Sequence, residues 1–470
     1  MVNRNKTSTI NQRLRDIKDV APSSIYIEVT ATPQAILLQT EKSQWKPSFI
    51  HYFKPGSNYI GGDFIYSEPT SFCIRFTEED ELDNIKSNSD FLPLGLRESL
   101  MTFLVICAEF RIKQKTNCNF LVHPSVRQSD HEKFATTLGE NLNTFWEELN
   151  DGDTRNSFLK EVQSKWADLQ VSYPDIAHYE DIYKSVEELL ESESINIMTI
   201  NANSSKEVSY EDGYNIVVGG NSLGRGVTLP KLQVVYYCRK SKVQQADTFW
   251  QHSRIFGYDR EKGLIRVFLP PSLHKLFTDL NQSNKILIQQ IVSNNTEGLQ
   301  LIYPDNIKPT RKQVLDNKAL NIITGGINFF ALNPSESDPI EIDNLLNSYD
   351  EKKDYYEVNG EMFISVLEKV EKNNVDWNGM KYANCAKALL QRRPSQKFVI
   401  AVRRNREISK GTRTLLSETD NKLSKRLEED AVLILYRLSG KTSNGWKGNP
   451  FWVPNIKFPD RMNFYDVIDL

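Results

Sequence analysis

Apolar residues recur along this chain in two rhythms, and the alternation of those rhythms predicts the architecture. Near the N-terminus "TINQRLRDI" sets Ile10, Leu14 and Ile17 at helical spacing. "SSIYIEVTATPQAILLQT" follows, a β-branched, apolar strand ending at Thr30 with Pro33 marking the break. Residues 42–90 are mixed, with turn chemistry at "KPGSNYIGGDF" and an acidic run, "TEEDELDN". From Leu92 to Ile112 the pattern is long, apolar and helical, and "NFLVHPS" (119–125) reads as a buried strand. Helices are expected over 131–150, over 154–170 and through "YEDIYKSVEELLESE", then the strands "INIMTIN", "YNIVVGG" and "LQVVYYC". Helices alternating with short buried strands predict an α/β fold with a largely parallel sheet.

After Pro270 that rhythm loosens and charge becomes the stronger signal. Residues 330–375 hold eleven Asp/Glu against four Lys, which reads as an acidic connector to a further module. Between Arg392 and Arg413 the balance reverses, with eight basic residues against one acid, inside a smaller C-terminal α+β domain. A chain of 470 residues with 39% hydrophobic and 25% charged content fits a soluble protein of two or three domains. Net charge is −3, so any nucleic-acid contact must come from local patches. Five scattered cysteines form neither a disulfide framework nor a zinc site and suit a reducing cytoplasm. Six histidines show no metal-ligand spacing, so no metal site is expected. No signal peptide or membrane-span pattern is visible, which predicts a cytoplasmic protein with no membrane partner.

The chemistry begins at "GGNSLGRGVTLPKLQVVYY" (219–237). Glycines at a strand end let backbone N–H groups approach an anion, and Arg225 adds a planar, permanently charged donor fork. Alone this turn is a weak signal; its company strengthens it. In chain order come "VTATPQA" (29–35), "FLVHPS" (120–125), "VVGGNSLGRGVTL" (217–229) and "DTFWQHSRIFGYDRE" (247–261). This succession resembles motifs three to six of superfamily two helicases and translocases. It is more closely similar to the Z-one domain family, bacterial helicase-like proteins of restriction systems often labelled endonucleases. "PGSNYIGG" and "KPTRKQVLDN" (308–317) extend the likeness over about residues 1–320.

The resemblance implies a RecA-like helicase lobe over 91–300. Before it would stand a first-lobe remnant (1–45) and a connecting insertion (46–90); after it, a connector (301–375) and a basic-patch domain (376–470). It implies that Thr30 and Thr32 couple nucleotide to nucleic acid, and that Gly224, Arg225, Gly226 and Thr228 touch the DNA backbone and the nucleotide. Arg254 would be the arginine finger against the γ-phosphate of ATP–Mg²⁺, with Gln251 one helical turn earlier positioning phosphate or water. Two departures stand out. Ser253 replaces the family's glycine, and its second arginine falls on Asp259, so that either Arg260 substitutes one place later or nucleotide binding is weakened.

A phosphoryl-transfer engine also needs a P-loop and an acidic pair upstream of "TAT", and only 29 residues precede Thr30. "SGKT" (439–442) has Leu435 where the P-loop pattern wants glycine and reads as a loop; "FCIRFTEED" (72–80) reads as a solvated charge run. The expectation is therefore the C-terminal part of an ATPase whose other half lies upstream, partnered by DNA and by restriction or phage-defence proteins. A non-catalytic DNA-binding or scaffolding subunit is the alternative. The endonuclease label finds no support in the residues: "PDIAHYEDIYK" (174–184) lacks the acid a metal-dependent nuclease needs at Ile182 and reads as an amphipathic helix. In the basic stretch, Arg403, Arg404 and Arg406 could grip phosphates and Phe398 could stack on a base, or the charges could protect a strand edge. Trp446 and Trp452 read as core.

Overall fold

The structure, a computed structural model, describes residues 9–40, 45–87, 92–125, 127–200, 209–220, 228–239, 244–252, 254–293, 298–310, 320–372, 374, 377–412 and 416–467. The chain forms two compact units, Lys54–Asn281 and a second built from Met1–Phe53 with Gln282–Leu470.

The first unit carries strands β1 (Ile74–Phe76), β2 (Asn117–His123), β3 (Ile195–Ile200), β4 (Gly213–Gly219), β5 (Leu232–Tyr237), β6 (Gln244–Gln245) and β7 (Arg266–Leu269). Six of them form one sheet in the order β1-β7-β5-β2-β4-β3, and every pairing is parallel. Every residue of β2, β5 and β7 is buried, as expected of parallel strands covered on both faces. The helix Leu94–Ile112 buries fourteen of its nineteen residues. Being apolar nearly all round, it must be covered on all sides, and it packs against β2, β5, β7 and the helices Arg155–Ser172 and Tyr179–Glu191.

Two features of this unit escape a reading by local pattern. "FCIRFTEED" supplies an edge strand, β1, and the acidic run after it sends Glu81 inside at 2% exposure. Tyr236 Oη donates to Glu81 Oε2 at 2.5 Å and Gly95 N–H to Oε1 at 2.8 Å. Burial nevertheless raises the Glu81 carboxyl above its ordinary value, against the pull of those donors. Across the sheet edge, Arg266 Nε donates to Asp168 Oδ2 at 2.8 Å, and Arg75 reaches the other carboxylate oxygen. Burial alone would raise the Asp168 carboxyl, but Arg266 and Arg75 outweigh it and hold it below the usual range.

In the second unit the helix Thr9–Val20 forms where the sequence predicts one. The expected strand after it does not: residues 24–30 join no sheet, and Ile25, Ile27 and Val29 are 82%, 67% and 85% exposed. Strand propensity is a fit to a half-buried surface, and no described strand offers these residues a ladder. The remaining strands are β8 (Leu301–Pro304), β9 (Ile307–Lys308), β10 (Leu320–Thr324), β11 (Asn328–Phe330), β12 (Tyr356–Val358), β13 (Phe398–Arg406), β14 (Ala431–Leu438), β15 (Phe451–Lys457) and β16 (Met462–Val467). β10-β16-β8 form an antiparallel sheet; β11-β15-β14-β13-β12 form a mixed one in which β13 and β14 alone run parallel.

The stretch 330–375 is built into this domain instead of linking to it. Ile342, Leu346, Phe363, Val366, Leu367 and Val370 share a core with β13, β14, β15 and the helix Gly379–Arg392. Three of its acids pair with cations of the basic stretch, Glu336 with Lys410, Asp343 with Arg404 and Glu357 with Lys397. Asp343 takes both Arg437 Nε and Nη2 at 2.8 Å, Glu357 meets Lys397 at 3.0 Å, and Asp354 O accepts from both terminal nitrogens of Arg403.

Candidate functional site

β4 ends in Gly219, and the next residue, Gly220, has no room for a side chain. A Cβ there would lie 2.5 Å from Ser125 O and 2.8 Å from His131 Nε2. Those neighbours stand just past β2 and are themselves fixed: Ser125 Oγ donates to Asp130 Oδ2 at 2.5 Å, and His131 Nε2 lies 2.9 Å from Ser125 O. The glycine is therefore required by close packing at the carboxyl end of a parallel strand. Gly224, Arg225 and Gly226 lie outside the described residues, as does Ser253. The chain returns at Thr228, which is exposed, and Leu229, which is buried.

Arg254 follows the helix Ala246–His252, which carries Gln251. It is half-buried, and burial lowers its guanidinium below the ordinary arginine value. Its backbone is held by Arg260. Arg260 Nη2 donates to Arg254 O at 2.9 Å and to Leu229 O at 3.3 Å, while Nε donates to Ile255 O at 3.0 Å. Nη1 contacts the Asp259 carboxylate, whose other oxygen accepts Lys231 N–H at 2.8 Å. Burial pushes Arg260 down to about 10. Its fork is thus engaged by backbone and by Asp259, a positioning duty that fixes the segment bearing Arg254. Asp259 is neutralised locally in the same way.

The turn "PGSNYIGG" is the partner that sequence reasoning missed. Ile60 and Gly257 exchange backbone hydrogen bonds in both directions, at 2.9 and 3.0 Å. Tyr258 Oη accepts Gly56 N–H at 3.0 Å, and the Tyr59 and Tyr258 rings stand 5.1 Å apart. A Cβ on Gly257 would fall 2.8 Å from Arg260 Nη1, so glycine lets the arginine fold back beneath the turn. The signal was present, since both motifs were visible, but only the fold pairs segments some 200 residues apart.

Thr30 and Thr32 belong to the other unit, where Thr32 N–H donates to Thr30 Oγ1 at 3.0 Å in a side-chain-closed turn. There too lie the residues of the basic stretch. Phe398 is 1% exposed and packs on Phe363 at 4.8 Å, so it is a core residue with no face for a base. Arg403 is buried against Asp420, with Nε to Oδ1 at 2.8 Å, and Tyr436 Oη donates to the other oxygen at 2.8 Å. Arg404 donates to Leu346 O and Tyr349 O and lies over the Trp452 ring. Arg406 makes no such contact among the described residues. Among the described residues no group of three or more His, Cys, Asp or Glu is placed to hold a metal ion. No described helix is long and apolar enough to cross a membrane.

A parallel-sheet unit with a glycine-lined strand end, joined to a mixed-sheet domain, defines an α/β protein class that hosts many activities. Comparison with known proteins narrows it. Residues 95–312 match the family model of the Z1 domain, and residues 323–460 match that of the restriction endonuclease CglI H-subunit, C-terminal domain. Both matches are to domains of restriction-associated proteins, and together they support a restriction-system association. A solved structure, the C-terminal domain of the CglI restriction endonuclease H subunit, is 31% identical, covering 29% of this chain and 99% of that one, with a TM-score of 0.26. No curated protein matches the chain. The CglI match runs unbroken across residue 375, so acidic and basic stretches fall within one matched region.

Proposed function

We propose that this chain is the DNA-handling portion of a restriction-system motor, carrying the second RecA-like lobe of a helicase or translocase. Arg254 supplies the arginine finger to ATP–Mg²⁺ held at the ATPase site of the assembly, and cleavage belongs to a partner subunit. The observation that carries this reading is the restraint on Arg254. Arg260 grips its carbonyl, and the turn at 55–62 grips the segment after it. A half-buried cation on a fixed backbone suits developing charge on a transferring phosphoryl group, because little reorganisation is then needed. The residues present fit that part of the group, since Asp259, the nearest carboxylate in sequence, is engaged by Arg260 and Lys231 N–H. When bound, ATP–Mg²⁺ would supply the phosphoryl chemistry, and Arg254 would contribute charge neutralisation. In the complete assembly, Arg254→Ala should lower ATP turnover by roughly 10³-fold with the fold intact. Unchanged turnover would remove Arg254 from the mechanism and favour a non-catalytic DNA-binding or scaffolding subunit.

A further inference from the structure

β13 and β14 end together, β13 at Arg406 and β14 at Leu438, and Ser439 N–H donates to Arg406 O at 3.0 Å. The two residues share a deficit. Arg406 Nε is buried without a hydrogen-bond partner, and so is Ser439 Oγ. Among the described residues no carboxylate pairs with Arg406, although Arg403 and Arg404 beside it are committed to Asp420 and to backbone carbonyls. A buried donor left unmade costs about 1–3 kcal/mol, and more when it is charged. A bound anion would remove that cost.

The surroundings form a built platform. Ser439 opens "SGKT", the stretch that fails as a P-loop; it continues into the 3-10 turn Thr442–Asn444. Lys410 N–H donates to Asn444 O at 2.8 Å, Trp446 Nε1 to Ile408 O at 2.6 Å and Gly448 N–H to Gly440 O at 2.8 Å, latching the two loops together. Gly440 has φ +63 and packs directly on Asn449 O, so no side chain fits at the strand end. Lys441 pairs with Glu407 and Lys410 with Glu336, while Lys447 is exposed.

We propose that Arg406 and Ser439 form a phosphate-binding site, and that its ligand is the phosphodiester backbone of duplex DNA. A carboxylate of a partner protein could accept the same two donors. The surplus of cations over Glu407 and Glu336 favours the denser charge of a nucleic-acid backbone. The identity of the ligand rests on the DNA-handling reading; the anion site itself does not.

Two titrations of the full chain test this. Inorganic phosphate should raise the wild-type Tm saturably, and Arg406→Gln should abolish the response, with Ser439→Ala weakening it. Arg406→Lys, which keeps charge but lacks the fork, should restore only part. A short duplex should bind Arg406→Gln roughly five- to ten-fold more weakly, with the slope of log Kd against log salt smaller by about one. Equal phosphate responses in wild type and Arg406→Gln would overturn the site. A phosphate response lost in Arg406→Gln with duplex affinity and slope unchanged would overturn DNA as its ligand and leave a partner carboxylate. If the wild-type chain bound no duplex at all, the DNA-handling reading and DNA as the ligand would fall, while the phosphate titration would still decide the site.

Discussion

Arg260 and Arg403 are both buried arginines, and each is held in a different way. Arg260 donates to the carbonyls of Leu229, Arg254 and Ile255 and contacts the carboxylate of its own neighbour, Asp259. Arg403 is neutralised by Asp420, on a separate helix, and donates to the backbone carbonyl of Asp354. The first arrangement shapes backbone, so a change there alters where Arg254 sits. The second joins a strand to its covering elements, so a change there alters whether the domain holds together. A buried arginine bound to carbonyls thus points to a positioned segment, and one bound to a remote carboxylate points to architecture.

The largest effect that sharpens this contrast is the roughly 10³-fold loss of ATP turnover expected for Arg254→Ala. Its counterpart in the other unit is Asp420→Asn, which leaves Arg403 buried and uncompensated with side chains only 10% and 1% exposed in the parent pair. Removing one partner of such a pair costs roughly 3–5 kcal/mol, so chemical denaturation should show the C-terminal domain unfolding at markedly lower denaturant. A midpoint unchanged by Asp420→Asn would break the comparison. Arg260→Gln comes next. It loses part of the fork that fixes Arg254, and misplacement of a catalytic group by about 1 Å lowers rates by roughly 10²-fold. Turnover should fall with little change in thermal stability; a large stability loss with normal specific activity would make Arg260 architectural like Arg403.

The same distinction governs how much the sequence disclosed. The parallel sheet was legible because "NFLVHPS", "YNIVVGG" and "LQVVYYC" are short apolar runs, and β2, β4 and β5 lie on them. β1 and β7 were not, at three and four residues, because such short strands are defined by the neighbours they join. The segment 25–29 looked like a strand for the converse reason: apolar pattern is necessary for a sheet strand but supplies no partner. At the site, the motif around Arg254 was visible as a run of residues, but the turn at 55–62 that holds it lies some 200 residues away and only the fold pairs the two. The basic stretch was not legible, because its neutralising acids lie far away in sequence, and a charge run counted alone looks like a free patch. Among the described residues Arg406 alone of those three arginines has a buried Nε without a hydrogen-bond partner, and nothing in "RRNR" distinguishes it.

The smallest expected effect concerns the acid-to-base zipper of the C-terminal domain, and Asp343 is its best reporter. The hydrogen bonds from Arg437 hold the Asp343 carboxyl below its ordinary 3.8, against the opposing effect of burial, with Trp452 and Arg404 adding to the pull. A carboxylate depressed in the folded state binds fewer protons there than in the unfolded chain. Its contribution to stability is therefore fully present above 3.8 and is lost as pH falls through the depressed folded value. Trp452 Nε1 donates to Asp343 Oδ1 at 2.9 Å, so indole emission should report the titration directly. Wild type should show an acid limb in Trp452 emission below about pH 4, with stability falling in the same window. Asp343→Asn should lose that part of the limb while remaining folded at neutral pH. If the acid limb were identical in Asp343→Asn, the charge pairing in this domain would be surface decoration, and Arg404 and Arg437 would become available for the binding role that Arg406 is assigned.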